Sequence, residues 1–484
     1  MTTIKLDPGA ALLLDALHGA GHAAYAVGGC VRDSLLGLAP HDWDLCTSAR
    51  PEQVMALFGE EKCIPTGLQH GTVTVKQGGR LYETTTFRTE GAYSDGRHPD
   101  AVCFVPDVRE DLARRDFTIN AMAYSAEEGL IDPFVGRDDL AAHLVRAVGE
   151  PERRFEEDAL RILRLYRFAA RFGFAIDPAT GAAARALGPH LDCVSAERIQ
   201  EELLKLLAAP RPGSYLEPAV LAVILPELEP EKQPERFAEL CRTIDRIEPT
   251  AENVPARLAA LLWPLGEAGA RKALRKLKCS NALTDEVTAL EREAGGGAGS
   301  FLLGHEFELR HPADALCLER HSHPAGRCPN SNSLFPPQAA VVAVAGHSIA
   351  RPIACGNRVP PQRTVLGETP GTPNTTLTVQ AKRLLGRYEL PTIQRLTALC
   401  SARHPEQAGA FAALRAEAER LTAENACCRV SQLAVNGRDL MAAGVRPGPG
   451  LRQVLNALLE AVITGQTPNE KDALLAAAAQ FSAS

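Results

Sequence analysis

An α+β fold is what these residues predict, with a small mixed sheet at the N-terminus and a long helical remainder. Three observations carry that expectation. From Ala23 to Thr47 the pattern runs strand, glycine turn, helix, strand, with Trp43–Cys46 as the second strand. The stretches Thr72–Lys76, Leu81–Phe87 and Ala101–Val105 alternate apolar and polar residues, as strands with one covered face do, and should complete the sheet. After about Asp138 this texture fades. Phe155–Phe174, Ala196–Leu207 and Ala256–Lys278 then carry apolar residues at helical spacing with few breakers. Hydrophobic residues make up 45% of the chain but aromatics only 5%, a balance that suits helix packing better than a β sandwich.

A chain of 484 residues is long enough for two or more cores in series. Near the C-terminus, Leu451, Val454, Leu455, Leu458, Leu459 and Val462 form one apolar stripe of a helix, preceded by a turn at Pro447–Gly450. Between about Gly304 and Pro373 the texture changes to Pro, His, Ser, Asn and Cys, and helical texture resumes near Gln380. That segment reads either as a long irregular insertion or as a stretch outside the reading frame of its flanks. Resequencing the coding DNA across it separates the two. A zinc site built from Cys317, His321, His323, Cys328 and Cys355 has suitable ligand types, but the spacing matches no regular finger.

The formal net charge of −7 excludes a surface coated in positive charge, yet arginines cluster between Arg109 and Arg171, enough for one basic face. Thirteen cysteines without paired spacing, and an N-terminus without a signal core, point to reduced thiols and a cytoplasmic enzyme. No apolar run is long enough to span a bilayer, so no membrane partner is expected.

The chemistry concentrates in the first third of the chain. Asp42 and Asp44 lie two apart in the expected strand and so should point to one face. Paired acids repel unless a cation sits between them, and Mg²⁺, which accepts a few carboxylates plus water and phosphate oxygens, suits such a pair. Alone, such a pair is usually a solvated turn. Upstream, Gly28-Gly29 lets backbone N–H groups approach an anion at a helix start, and Arg32 adds a phosphate-binding fork. The plainer alternative is a glycine turn beside a structural Arg32–Asp33 pair. Glu83 is the candidate third carboxylate, or else an exposed strand residue paired with a basic neighbour.

Farther on, Arg114, Arg115, Asp116 and Asn120 sit at the start of an expected helix, where they could hold triphosphate and ribose, or where Asp116 or Thr118 could simply cap it. On the helix expected through Glu157–Phe168, Asp158 and Arg161 are neighbours, and Arg164 and Arg167 continue the stripe. A surface ion pair is the bland reading. The functional reading follows from base chemistry, because C and A each present an exocyclic amine beside an unprotonated ring nitrogen. Asp158 would accept from the amine and Arg161 would donate to the ring nitrogen, each contact being worth roughly 1–3 kcal/mol of discrimination.

In chain order, Gly28–Asp33, Asp42–Asp44, Thr66–Val75, Glu83–Arg88, Arg114–Ala123 and Glu152–Phe174 resemble the class II CCA-adding enzyme and bacterial poly(A) polymerase family. The likeness is strong over about Ala23–Leu207, returns over Leu433–Leu475 with Asn436–Leu440, and is closest to bacterial CCA-adding enzymes without an appended His-Asp phosphohydrolase domain. The resemblance implies a polymerase-beta-like nucleotidyltransferase head at 1–140, a helical neck with the nucleotide-recognition helix at 141–207, a helical body at 208–303 and a helical, tRNA-binding tail at 380–484, with the compositionally atypical segment at 304–379 interrupting them. It implies that Asp42 and Asp44 bind catalytic Mg²⁺. It assigns the triphosphate to Gly29, Arg32 and Arg115, and a nucleotide-binding helix to Asp158, Arg161, Arg164 and Arg167. The implied reaction is template-independent addition of C, C and A to tRNA from CTP and ATP. An A-adding enzyme or poly(A) polymerase is the nearest alternative, and a catalytically impaired tRNA-binding protein is the alternative of another class.

Overall fold

The computed structural model describes residues 3–90, 102–297 and 376–481. The segment expected to be atypical, and with it the five cysteine and histidine candidates for zinc, lies outside the described residues up to 375. The described residues divide into two compact units, the first running to residue 297 and resuming at 380–426, the second made of 376–379 with 427–481. Residues 380–426 thus group with the first unit, whereas the sequence reading opens the tail at 380.

The first unit begins with α1 (Pro8–Gly19), whose free N–H groups at Gly9 and Ala10 are met by the Asp7 side chain. A seven-stranded mixed sheet follows, in the order β3-β4-β5-β2-β1-β8-β9. Its strands are β1 (Ala24–Val27), β2 (Leu45–Thr47), β3 (Cys63–Gly67), β4 (Thr72–Gln77), β5 (Arg80–Thr86), β8 (Ala123–Ser125) and β9 (Gly129–Ile131). Between them, β6 (Arg88–Glu90) and β7 (Val102–Phe104) pair only with each other, so the expected strand at Ala101–Val105 is real but forms a separate ribbon. Tyr25, Val27, Cys46, Phe87, Leu112 and Ala123 form a core under the sheet.

Four short helices dress the sheet: α2 (Gly29–Leu35), α3 (Pro51–Phe58), α4 (Val108–Ala113) and α5 (Gly136–Ala141). The helix expected through Phe155–Phe174 is two helices, α6 (Pro151–Glu157) and α7 (Leu160–Phe172). Asp158 between them is extended, at φ −147° and ψ 102°. Its carboxylate accepts the Leu160 N–H at 3.1 Å, meeting a donor that the start of a helix leaves free. The next helices are α8 (Pro178–Ala186) and α9 (Ala196–Leu207), the latter packed against α7.

Beyond α9, helices Pro234–Arg246, Val254–Leu262, Gly266–Lys276, Asn281–Arg292, Leu390–Arg403 and Ala408–Ala423 pack together. Arg257 is fully buried there, without a carboxylate bonded to it among the described residues. It donates instead to the carbonyls of Leu207 at 2.6 Å, Ala209 at 2.5 Å and Ile247 at 2.5 Å. Leu207 ends α9, so this cation satisfies carbonyls at a helix C-terminus, where the dipole favours positive charge.

In the second unit, helices Gly437–Ala442, Pro449–Ile463 and Lys471–Phe481 close over Val435, Leu440, Val454, Leu458, Val462 and Leu474. Pro449 and Gly450 are the first helical residues rather than part of a preceding turn, because proline's missing N–H costs nothing at that position. Asn436 accepts from the N–H groups of Arg438 and Asp439, and Asp439 accepts in return from the Asn436 N–H.

Candidate active site

The Gly28 turn is the anchor of the site. Its conformation, φ 75° and ψ −120°, is open only to glycine, and a Cβ there would lie 2.8 Å from Arg115 Nη1. The Gly28 N–H donates to Met122 O at 3.0 Å and the Val27 N–H donates to Asp44 O at 2.9 Å. These two bonds fix Asp44 and the strand-edge residue Met122 on either side of the turn. Asp42 and Asp44 precede β2 rather than lying in it. They still share a face, because the backbone alternates exposed Asp42, buried Trp43, exposed Asp44.

The pairing of β2 with β5 is parallel, with Leu45 opposite Thr84, so one step back Asp44 comes beside Glu83. Asp44 is open toward the cavity but crowded by protein on its other sides. That crowding, then the charges of Glu83 and Asp42 against the opposing pull of Arg115, pushes its carboxyl up to about 6. Asp42 is far more open, its side chain 80% exposed and 2.9 Å from His41 Nδ1.

A cavity of about 300 Å³ joins these acids to a basic wall. Gly28, Gly29, Arg32, Asp42, Asp44, Arg115, Asp116, Asn120, Arg164 and Arg167 all line it, as do Phe168 and Arg171. Arg32 is buried. It bonds Asp33 Oδ1 through Nε at 2.8 Å and Asn120 Oδ1 through Nη1 at 2.5 Å, and lies over the rings of Phe168 and Phe172. Asn120 in turn donates to Asp116 Oδ1 at 3.0 Å, and Arg164 donates to Asp116 Oδ2 through Nε at 2.9 Å and Nη2 at 2.5 Å. Burial opposes ionisation of Asp116, but Arg164 and Asn120 outweigh it and hold the carboxyl well below its ordinary range. The buried Nε of Arg115 has no hydrogen-bond partner among the described residues, while Asp111 stands 3.5 Å from its Nη2.

Arg114–Asn120 does not open a long helix as the sequence suggests. Arg114 closes α4 and Thr118–Asn120 is a single 3-10 turn, held by Thr118 Oγ1 donating to Asp139 at 2.7 Å. A second cavity, of about 270 Å³, is lined by Arg114, Arg115, Asp116, Asp158, Leu160, Arg161, Arg164 and Arg198. Arg115, Asp116 and Arg164 are common to both. Asp158 and Arg161 therefore meet at one cavity, though not as an ion pair along a helix. Arg161 pairs with Glu157 at 2.8 Å and donates to the carbonyls of Arg154 and Arg114, whereas Asp158 pairs with Arg198 at 2.8 Å. Arg167 lies 4.1 Å above the Phe168 ring and 2.6 Å from Glu202.

Sequence reasoning missed Phe168, Arg171, Arg198 and Glu202. Phe168 carried a signal, being an aromatic between arginines, but the partners on α9 carried none. Among the described residues no three His, Cys, Asp or Glu side chains converge as a metal-ligating group, at Asp42, Asp44 and Glu83 or elsewhere, and no helix is long and apolar enough to cross a membrane.

Sheet, glycine turn and paired acids facing arginines define a nucleotidyltransferase with a poly(A) polymerase type of head. The poly A polymerase head domain matches residues 24–146, the probable RNA- and SrmB-binding site of polymerase A matches 173–232, and the putative tRNA nucleotidyltransferase domain 2 matches 392–478. A CCA-adding enzyme of Levilactobacillus brevis is 33% identical over 96% of both chains. One from Leuconostoc citreum is 44% identical over 52% of this chain, an alignment that spans 60% of that relative's own length. The crystal structure of the Bacillus stearothermophilus CCA-adding enzyme, solved in complex with CTP, superposes with a TM-score of 0.68 at 30% identity over 98% of each chain. The chain belongs to the CCA-adding enzyme family.

Proposed function

We propose that the chain adds C, C and A in turn to the 3′ end of tRNA, using CTP and ATP and releasing pyrophosphate. The observation that carries this reading is one cavity in which Asp42 and Asp44 face Arg32, Arg115, Arg164 and Arg167. Acids on one wall and cations on the other match a substrate that brings both a metal-bound triphosphate and its negative charge.

Nucleotidyl transfer in this family depends on metal ions. The residues present fit a divalent cation, because Asp44 is crowded by protein and held near two like charges, Glu83 and Asp42, and this crowding with those charges raises its carboxyl to about 6. Asp42 and Asp44 would hold Mg²⁺, with Glu83 as the third candidate acid, and water and phosphate oxygens would complete an octahedron. When bound, the metal supplies a lowered pKa for the attacking hydroxyl and neutralises charge on the leaving group.

The chain's own residues do the rest. The Gly29 N–H at the start of α2 and the Arg115 guanidinium, both at the cavity wall, bind phosphate oxygens, while Arg32, clamped by Asp33 and Asn120, holds the wall rigid. Asp116 and Asn120 orient Arg164 and Arg32 and lie where the ribose would be held. The 3′-hydroxyl oxygen of tRNA forms a bond to the α-phosphorus, the bond to the β-phosphate oxygen breaks, and the proton passes to solvent. At the adjoining cavity, Asp158 accepts from the amine of C or A and Arg161 donates to the ring nitrogen. The C-terminal unit is proposed as the tRNA-binding tail, and the free, buried thiols of Cys30, Cys46 and Cys400 suit a cytoplasmic protein.

Labelled CTP and ATP should be supplied to tRNA ending before CCA, after one C and after two. Growth that stops at CCA on all three ends is expected. Addition of A alone to the two-C end would mean an A-adding enzyme, and long A tails a poly(A) polymerase. Binding of tRNA without incorporation would mean an RNA-binding protein without chemistry.

A further inference from the structure

Helix α9 contributes two charged side chains to α7 and to the link before it. Arg198 Nη2 donates to Asp158 Oδ2 at 2.8 Å, and Glu202, one turn on, lies 2.6 Å from Arg167 Nε. The two contacts sit on one face of α9, because residues four apart are neighbours on a helix. Arg198 and Asp158 both line the second cavity. Their side chains are 21% and 16% exposed, so the pair is neither a free surface bridge nor a sealed one.

Asp158 belongs to neither helix, so no helical backbone restrains the direction of its carboxylate. Two bonds do so instead: the Leu160 N–H to Oδ1 at 3.1 Å and Arg198 to Oδ2 at 2.8 Å. Each oxygen keeps a further lone pair with which to accept from a base. Without Arg198, only the longer bond to Leu160 remains among the described residues, and the carboxylate can turn about its χ2 bond. A carboxylate that turns can no longer demand an amine at one place, which is what separates C and A from U and G.

We infer that Arg198 is a positioning residue that sets nucleotide selectivity by fixing the Asp158 carboxylate. This rests on the proposal that Asp158 accepts from the base amine. It assigns Arg198 no contact with substrate, and it predicts a change in which nucleotide is used, not merely in how fast.

The test compares full-length wild type, Asp158→Ala, Arg198→Ala and Arg198→Lys. It reads the ratio of kcat/KM for CTP against UTP, and for ATP against GTP, on tRNA primers, together with the thermal unfolding midpoint. Asp158→Ala and Arg198→Ala should each lower the ratios, Arg198→Ala by about tenfold. Arg198→Lys, which keeps a donor to Oδ2, should recover at least half of that loss on a logarithmic scale. If Asp158→Ala leaves the ratios unchanged, the base-recognition proposal fails and this inference fails with it. If Asp158→Ala collapses them but Arg198→Ala stays within twofold of wild type, only the role of Arg198 is overturned. A fall in the ratios that Lys does not recover, with a lowered unfolding midpoint, would make Arg198 a prop for α9 and equally overturn it.

Discussion

Asp44 and Asp116 line the same cavity, yet their surroundings drive them in opposite directions. Asp44 is crowded by protein and faces Glu83 and Asp42, with Arg115 as its one opposing charge, and its carboxyl rises to about 6. Asp116 is more deeply buried, but Arg164 grips it with two donors and Asn120 adds a third, so it stays ionised far into acid. Burial alone would raise both. The difference lies in the partner each was given: Asp116 has its cation built into the chain, whereas Asp44 is left short of one. A site that must receive a cation from outside has to leave such a deficit, and a wall that must stay rigid cannot.

The largest expected effect comes from removing the built-in pair. Asp116→Asn leaves the guanidinium of Arg164 uncompensated and should cost about 2–3 kcal/mol of stability, read by urea unfolding at pH 7. Because the folded Asp116 carboxyl is depressed, its contribution is present above the ordinary carboxylate range and is lost only as pH falls through the lower folded value. The cost of this substitution should therefore be constant from pH 5 to 8. A smaller and opposite effect is expected at Asp44. Its raised carboxyl favours the folded state below the ordinary carboxylate value, and that advantage disappears as pH rises through about 6. In metal-free protein, Asp44→Asn should thus raise the unfolding midpoint slightly at pH 8 and leave it unchanged near pH 4. Added Mg²⁺ at pH 8 should stabilise wild type but not this variant. The smallest effect sharpens the cause: Glu83→Gln removes one like charge and should move the Asp44 titration downward, as followed by carboxyl NMR. An unmoved titration would leave Glu83 without influence on Asp44.

What could be read beforehand follows the range of each interaction. The glycine turn, the paired acids and Arg32 lie close together in sequence, and the alternation of Asp42, Trp43 and Asp44 holds even though the strand proper begins one residue later. Strands β8 and β9 escaped notice because three residues are too few to show a period. The break at Asp158 escaped because no Gly or Pro marks it; an aspartate whose carboxylate satisfies the first N–H of α7, that of Leu160, is as good a stop for α6. Arg198 was invisible for a different reason. Its partner lies 40 residues away, and only the packing of α9 on α7 brings the two together. The basic wall was legible as a run of arginines, but which of them are already spent on carboxylates was not.

The most direct measurement of the central claim pairs binding with chemistry in Asp42→Ala/Asp44→Ala protein. The account predicts that this variant still binds CTP through the basic wall, within about tenfold of wild type by calorimetry in the absence of metal, while incorporation onto tRNA falls roughly 1,000-fold or more. Incorporation retained within tenfold of wild type would contradict it, and would move the catalytic acids away from Asp42 and Asp44.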